Sequence, residues 1–183
     1  PHDGTTIDSL IKHADTAMYH VKERGKKNFE FYDASMKTKH SRHLSLESGL
    51  RKALDEDQFR IYYQPQIDVA SGNVSGVEAL LRWEHPEQGM IMPGDFISLS
   101  EETGVINNIG RWLLDSACQT INDWSSQGLP DVTLAINISA RELIQPDFPE
   151  YVIDALERHQ VPGARLELEI TENVLMRDMD QAV

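Results

Sequence analysis

The first part of the chain has apolar residues at helical spacing. This spacing predicts a helix over residues 8–23, with Gly25 where such a helix commonly ends. A short strand-like run follows at residues 29–32. Residues 34–57 contain no Pro and place several apolar side chains on one face, which predicts a connecting helix; these side chains are Leu46, Leu50, Ala53 and Leu54.

From residue 59 the pattern changes to strands that alternate with helices. The predicted strands are 59–66, 74–83, 132–139 and 165–171. A long helical region, 94–127, separates the second strand from the third, and Gly104 predicts a break into two helices. Another helix, begun by Pro149 and stopped at Val161-Pro162-Gly163, separates the third strand from the fourth. This alternation predicts an α/β fold built from βαβ units.

Each predicted strand has one apolar face and one face with polar residues. In residues 77–83, Glu78 and Arg82 lie on the face opposite Val77, Ala79 and Leu81. Gln64, Asn137 and Glu169 occupy the polar faces of the other strands. Parallel strands that are covered on both sides are normally apolar on both faces. Two interpretations remain open: a sheet face exposed to solvent, or a barrel with polar residues toward its interior.

The barrel interpretation predicts where these polar groups meet. Active sites of such barrels lie at the C-terminal ends of the strands. Glu78, Asn137 and Glu169 would then converge there as oxygen ligands suited to Mg²⁺ or Mn²⁺. Arg82, on the same face as Glu78, is placed to hold a phosphate.

The composition is that of a globular chain. Of 183 residues, 40% are hydrophobic, and no apolar run approaches the roughly 18 residues of a membrane span. A single Cys excludes an intrachain disulfide and a Cys-rich zinc module. The chain begins at Pro1 without a signal peptide. We therefore expect a piece of a longer cytoplasmic protein, which other segments could anchor to a membrane.

The charge is concentrated in the later part of the chain. Residues 1–43 carry 8 Lys or Arg and 6 Asp or Glu, whereas residues 44–183 carry 9 and 24, for a net charge of −13. An acidic body argues against binding to a DNA or RNA polymer, which requires basic side chains. We interpret Lys37, Lys39 and Arg42 as a solvated helix face. If the acidic body handles a phosphate ester, it needs divalent cations.

An ordered series of motifs runs from about residue 44 to the last residue. The motifs are Tyr63-Gln64-Pro65-Gln66, Glu78-Ala79-Leu80-Leu81-Arg82-Trp83, His85-Pro86, Gly89, Pro93, Phe96-Ile97, Glu101-Glu102-Thr103-Gly104, Asn137-Ile138-Ser139 and Leu168-Glu169-Ile170-Thr171-Glu172. This part of the chain resembles the EAL domain, a family of bacterial cyclic di-GMP phosphodiesterases. Ser100, where Ala is usual, is a minor departure.

The resemblance implies a fold and a set of functional residues. EAL domains form a modified TIM barrel whose first strand is antiparallel to the others, and they bind two divalent cations. Glu78, Asn137 and Glu169 match metal ligands. Glu172 matches a second acid of the same motif. We count it among the catalytic residues with Glu78 and Glu169, and we expect it to support these two acids. The positions that match substrate contacts are Gln64, Leu80 and Arg82.

Structural roles for several of these residues stay open. Glu172 could be the acid at a helix start, Gln64 an amide that fills the barrel, and Arg82 the partner of Glu84 or Glu78. The rival function is a degenerate EAL domain that serves as a cyclic di-GMP receptor or a regulatory interaction module. Every metal-ligand position within the chain is intact, which favours the enzyme.

The first segment resembles the C-terminal end of a GGDEF diguanylate cyclase domain. The matching residues are Asp3-Gly4, Leu10, Ala14-Asp15, Ala17-Met18-Tyr19, Lys22, Gly25-Lys26 and Phe31-Tyr32. We therefore predict a GGDEF remnant of one helix and one strand over 1–33, a connecting helix that begins the EAL domain over 34–57, and the N-terminal part of the EAL domain over 58–183. Lys22 and Lys26 match positions that face nucleotide phosphates in cyclases; here we interpret them as a solvated helix end.

The implied reaction is two-metal hydrolysis of cyclic di-GMP to linear pGpG in bacterial second-messenger signalling, the system that regulates biofilm formation and motility. In the family, a pair of Asp ligands, a Lys and the general base lie further downstream than residue 183. We therefore expect the chain by itself to be inactive. The resemblance also implies an upstream GGDEF domain, an unknown sensory domain and an EAL–EAL homodimer as partners.

Overall fold

The computed structural model describes residues 5–23, 29–129 and 132–170. The chain divides into two compact units, residues 1–49 and 50–183. Among the described residues, none of the helices combines the length and the apolar character that a membrane crossing requires.

The first unit contains the first predicted helix. Helix α1 covers Ile7–Glu23, which confirms the prediction for residues 8–23; Gly25 lies outside the described residues. The predicted strand at 29–32 is wrong, because these residues lie outside any helix or strand. They pack through aromatic rings instead: Tyr32 stacks on His13 of α1 at a centroid distance of 3.9 Å, and Phe29 meets Phe31 edge to face.

Helix α2 covers Ala34–Ala53, and the prediction of a helix to residue 57 overestimated its length. The chain turns after Ala53: the Gln58 N–H donates to the Ala53 carbonyl at 2.8 Å. Within this turn Asp57 has a φ of 49°, a left-handed conformation that Asp tolerates better than most residues. This turn directs the chain into the first strand.

The described residues of the second unit form one mixed sheet of five strands. The strands are β1 Phe59–Ile67, β2 Val74–His85, β3 Gly89–Ile91, β4 Thr133–Ile138 and β5 Leu166–Ile170. Their order is β1-β2-β4-β5, with β3 also paired to β2. Strand β1 runs antiparallel to β2, whereas β2, β4 and β5 run parallel. The predicted antiparallel first strand is confirmed.

Helices connect the parallel strands as predicted. The long region between β2 and β4 forms α3 Pro93–Thr103 and α4 Ile106–Ser126. Gly104 separates them with a φ of 79°, where a residue without Cβ is favoured. Helix α6, Phe148–Arg158, connects β4 to β5 and has a Pro in its first turn.

Three short elements escaped the sequence pattern. These are the hairpin strand β3, the one-turn helix α5 over Ala140–Leu143, and a 3₁₀ turn over Gly163–Arg165. Arg165 therefore lies before β5 rather than within it, and its Nε donates to the Val132 carbonyl at 2.8 Å. Each of these elements has three or four residues, too few for a periodic pattern to appear.

The core lies between the sheet and its helices. Buried side chains of α4, including Leu113, Ala117 and Ile121, pack with Leu134 and Ile136 of β4 and with α6. The helices thus cover the apolar face of the sheet, and the polar face is left on the other side. This arrangement is a partial (β/α) barrel with helices on its outer face, as the resemblance implies.

Candidate functional site

Strand β2 alternates between the core and the candidate site. Ala79, Leu81 and Trp83 are buried, whereas Glu78 and Arg82, at alternate positions, are partly exposed. This alternation confirms the two faces that the sequence pattern predicts. It follows from strand geometry, because successive side chains point to opposite sides of a sheet.

Two of the predicted site residues are in direct contact. The Asn137 Nδ2 on β4 donates a hydrogen bond to Glu78 Oε1 on β2 at 2.8 Å. The strands are parallel neighbours, and the two residues are 59 positions apart in the sequence. The contact places both side chains on the same face of the sheet.

Glu169 on β5 lies beside this pair. Its partner in the strand register is Asn137. Burial, then the negative charges of Glu78 and Glu167, raise the pKa of the Glu169 carboxyl above its usual value. Burial disfavours the charged form of the carboxyl group, and the two neighbouring carboxylates add to this effect.

The predicted substrate-contacting residues lie on β1 and β2. Gln64 on β1 lies directly opposite Glu78, and Leu80 lies opposite Tyr62. Gln64 is exposed. These positions place an amide and an apolar side chain next to the acidic residues.

Arg82 is held by an aromatic ring rather than by a carboxylate. Its guanidinium lies 5.6 Å from the centroid of the Tyr62 ring, and its Nη1 donates to the Leu81 carbonyl at 2.8 Å. Glu84, one of the acids considered as its partner, pairs with Arg60 at 3.1 Å instead. Among the described residues no carboxylate pairs with Arg82, so its charge is available to an anion.

Tyr62 is the site residue that sequence reasoning missed. It is 53% exposed on the polar face of β1, whereas the next residue, Tyr63, packs on Trp124 and hydrogen-bonds to Thr120. The available signal was its position two residues before Gln64, which puts both side chains on one face. Glu172 lies outside the described residues.

The donor set suits a hard divalent cation. Within the described parts of the chain, no three His, Cys, Asp or Glu side chains form a metal-ligand group. The site instead combines the carboxylates of Glu78 and Glu169 with the amide of Asn137, and Mg²⁺ and Mn²⁺ bind such oxygen ligands. Rotation of the Asn137 amide exchanges Nδ2 for Oδ1 beside Glu78. The residues therefore fit a cation that offsets the carboxylate repulsion.

The comparison with known families agrees with this arrangement of site and fold. Residues 47–183 match the EAL domain. The chain belongs to the EAL domain family. The matched region includes the whole sheet described above. It also includes Gln64, Glu78, Arg82, Asn137 and Glu169.

Two relatives from Pseudomonas aeruginosa align with the EAL domain and with the segment before it. The bifunctional diguanylate cyclase/cyclic di-GMP phosphodiesterase MucR is 42% identical over 183 residues, which are 100% of this chain and 27% of MucR. The cyclic di-GMP phosphodiesterase NbdA is 35% identical over 183 residues, 100% of this chain and 23% of NbdA. The chain thus spans about a quarter of the length of these relatives.

A solved structure shares the fold. The PaMucR phosphodiesterase in complex with c-di-GMP superposes with a TM-score of 0.72 and 43% sequence identity. The superposition covers 75% of this chain and 56% of the PaMucR chain.

Proposed function

We propose that this EAL domain provides part of the active site of a metal-dependent phosphodiesterase that hydrolyses cyclic di-GMP to linear pGpG. The observation that carries the proposal is the grouping of Glu78, Asn137 and Glu169 on one face of three neighbouring strands. The names of MucR and NbdA, and the c-di-GMP bound to PaMucR, support the choice of substrate.

In this proposal, Glu78, Asn137 and Glu169 hold Mg²⁺ or Mn²⁺. Such cations lower the pKa of a water molecule and stabilise negative charge on a phosphoryl group. Glu172 supports the ligands as a hydrogen-bonding acid. Arg82 binds a phosphate of the substrate, and Gln64 and Leu80 contact its other parts. These roles suit an acidic chain, with a net charge of −13, that binds a dianionic substrate.

The assay for this proposal measures pGpG release from cyclic di-GMP by the full-length natural protein. We expect hydrolysis with Mg²⁺ or Mn²⁺, loss of hydrolysis with excess EDTA, and recovery when the cation is restored. Hydrolysis that survives EDTA would contradict the metal assignment. Tight binding of cyclic di-GMP without hydrolysis would instead support the receptor function.

Replacing Arg82 by Ala is expected to raise the KM for cyclic di-GMP. A hydrogen bond to a charged group contributes roughly 1.5–3 kcal/mol, which corresponds to about 10- to 100-fold. Arg60→Ala is the matched control, since Arg60 lies opposite Arg82 on β1 and pairs with Glu84. Initial rates over a range of substrate concentrations give both KM values. An equal rise in both variants would mean that Arg82 has no specific role.

We further propose that residues 1–33 belong to a GGDEF domain, with 34–57 as the connecting helix that begins the EAL domain and 58–183 as its N-terminal part. The alignment with MucR covers all 183 residues, and the name of MucR includes diguanylate cyclase. The match to the EAL domain begins at residue 47, close to the boundary between the two compact units at residue 49. A sequence of the full coding region that lacks a GGDEF domain before this chain would contradict the proposal.

A further inference from the structure

The turn after β4 contains an acidic side chain that the proposed reaction does not use. Glu142 of α5 is only 5% exposed. Its Oε2 accepts hydrogen bonds from the backbone N–H of Ser139 at 3.0 Å and from Ser139 Oγ at 2.5 Å. The Glu142 N–H donates back to Ser139 Oγ at 3.3 Å, which completes a capping box.

The burial of Glu142 exceeds what capping requires. Helix α5 has four residues, and the same hydrogen bonds can form at a solvent-exposed helix start. Burying a carboxyl group is unfavourable, and burial raises the pKa of Glu142 despite the hydrogen bonds from Ser139. The buried position of the Glu142 carboxyl is therefore energetically unfavourable in itself.

Helix α4 is shaped to accept the Glu142 carboxyl. A Cβ built on Gly110 would lie 1.5 Å from Glu142 Oε1 and 2.5 Å from its Cδ. Only Gly leaves this space free. On the adjacent residue, Arg141, the guanidinium donates to the Glu101 carbonyl at the end of α3. The turn is thus fixed against two helices.

The turn leads directly to the candidate metal site. Ser139 follows Asn137 by two residues at the end of β4, and Asn137 contacts Glu78. Asn137, Ser139 and Glu142 line the same cavity of about 250 Å³. A shift of the Ser139 backbone would therefore change the direction in which the Asn137 side chain projects from β4.

We propose that Glu142 is a positioning residue for Asn137. Its carboxyl, seated against Gly110, holds the backbone of Ser139 and so fixes the Asn137 amide where it faces Glu78. This inference rests on the proposed function, because it takes Asn137 to be a metal ligand. Glu142 itself contacts neither the substrate nor the metal.

The test measures Mn²⁺ affinity of the full-length natural protein by electron paramagnetic resonance of the free ion. Glu142→Ala removes the carboxyl, and Gly110→Ala displaces it from the neighbouring helix. Both are expected to weaken Mn²⁺ binding by about 10-fold, the lower end of the range for groups that support metal ligands. Glu142→Gln keeps an oxygen acceptor, so the Mn²⁺ affinity of this variant should lie within about threefold of the wild-type affinity.

Two controls separate positioning from general loss of stability. Gly163→Ala is matched to Gly110→Ala, because its Cβ would meet only Leu156, at 3.9 Å; it should leave Mn²⁺ affinity unchanged. Urea unfolding establishes that each variant is folded at the assay temperature. The double variant of Gly110 and Glu142 should be no weaker than the worse single variant, since both changes act on one contact.

Asn137→Ala distinguishes failure of this inference from failure of the proposed function. If Asn137→Ala binds Mn²⁺ as the wild type does, the metal assignment is wrong and the inference fails with it. If Asn137→Ala weakens binding while folded Glu142→Ala and Gly110→Ala do not, only the role of Glu142 is wrong. Should Glu142→Ala fail to fold, the affinity ratio between the Gly110→Ala and Gly163→Ala proteins decides the question.

Discussion

Glu78→Gln in the full-length natural protein is expected to reduce cyclic di-GMP hydrolysis by more than about 100-fold, since even groups that only support a metal ligand typically change affinity or activity by 10- to 100-fold. Gln keeps the shape of the side chain and an oxygen that can accept the hydrogen bond from Asn137 Nδ2. It lacks the negative charge that binds a divalent cation. The fold should therefore persist while metal binding weakens.

The experiment compares pGpG release and urea unfolding for the wild type and the variant. Glu84→Gln is the matched control on the same strand, because Glu84 pairs with Arg60 outside the candidate metal site. We expect this control to hydrolyse cyclic di-GMP at a near-normal rate. Near-normal turnover by the Glu78→Gln protein would show that Glu78 is not a metal ligand.

Raising the cation concentration adds a second readout. If Gln at this position weakens metal binding, part of the lost activity should return at higher Mn²⁺. A loss that no cation concentration changes would indicate that Glu78 acts in another way, for example by orienting the substrate.

The sequence predicted most of the fold because its long elements have clear periods. The alternation in β2 assigned Glu78 and Arg82 to one face and Ala79 and Leu81 to the other, as observed. Gly104 predicted the break between α3 and α4 because the chain has a positive φ there, a conformation that Gly adopts readily. Features that depend on backbone geometry or strand period are readable from the chain alone.

The parts that could not be predicted depend on contacts between distant residues. Residues 29–32 have strand-like composition but form no strand, and Tyr32 stacks on His13 of α1 instead. The buried position of the Glu142 carboxyl requires Gly110, which lies 32 positions earlier in the chain. No local sequence pattern connects the two residues. The contact between Arg82 and Tyr62 depends on the register of β1 against β2, which a single sequence does not specify.

The same alternation explains why the motif from Glu78 to Trp83 carries both function and stability. Trp83 is fully buried, and its Nε1 donates to Gln58 Oε1 at 2.9 Å. Its ring lies 5.7–6.1 Å from those of Phe96 and Phe59. Arg82, the preceding residue, points to the other face of the sheet. We therefore expect changes at Trp83 to affect stability and changes at Arg82 to affect substrate binding.

Trp83→Ala is expected to lower the free energy of unfolding by about 3–5 kcal/mol, the usual range for removing a buried Trp side chain. This loss is large relative to the roughly 5–15 kcal/mol that holds a typical domain folded. Trp83→Phe is the matched variant: it keeps a ring against Phe59 and Phe96 but leaves Gln58 Oε1 without its donor. Its expected cost is smaller, about 1–3 kcal/mol. Urea unfolding measures both values.

Because Trp83 lies on the core face, folded Trp83→Phe protein should keep a near-normal KM for cyclic di-GMP, in contrast to Arg82→Ala. A cost below about 1 kcal/mol for Trp83→Ala would contradict its placement in the core, where truncating even a Leu, Ile or Met side chain to Ala costs about 2–5 kcal/mol. A raised KM in Trp83→Phe would contradict the separation of the two faces.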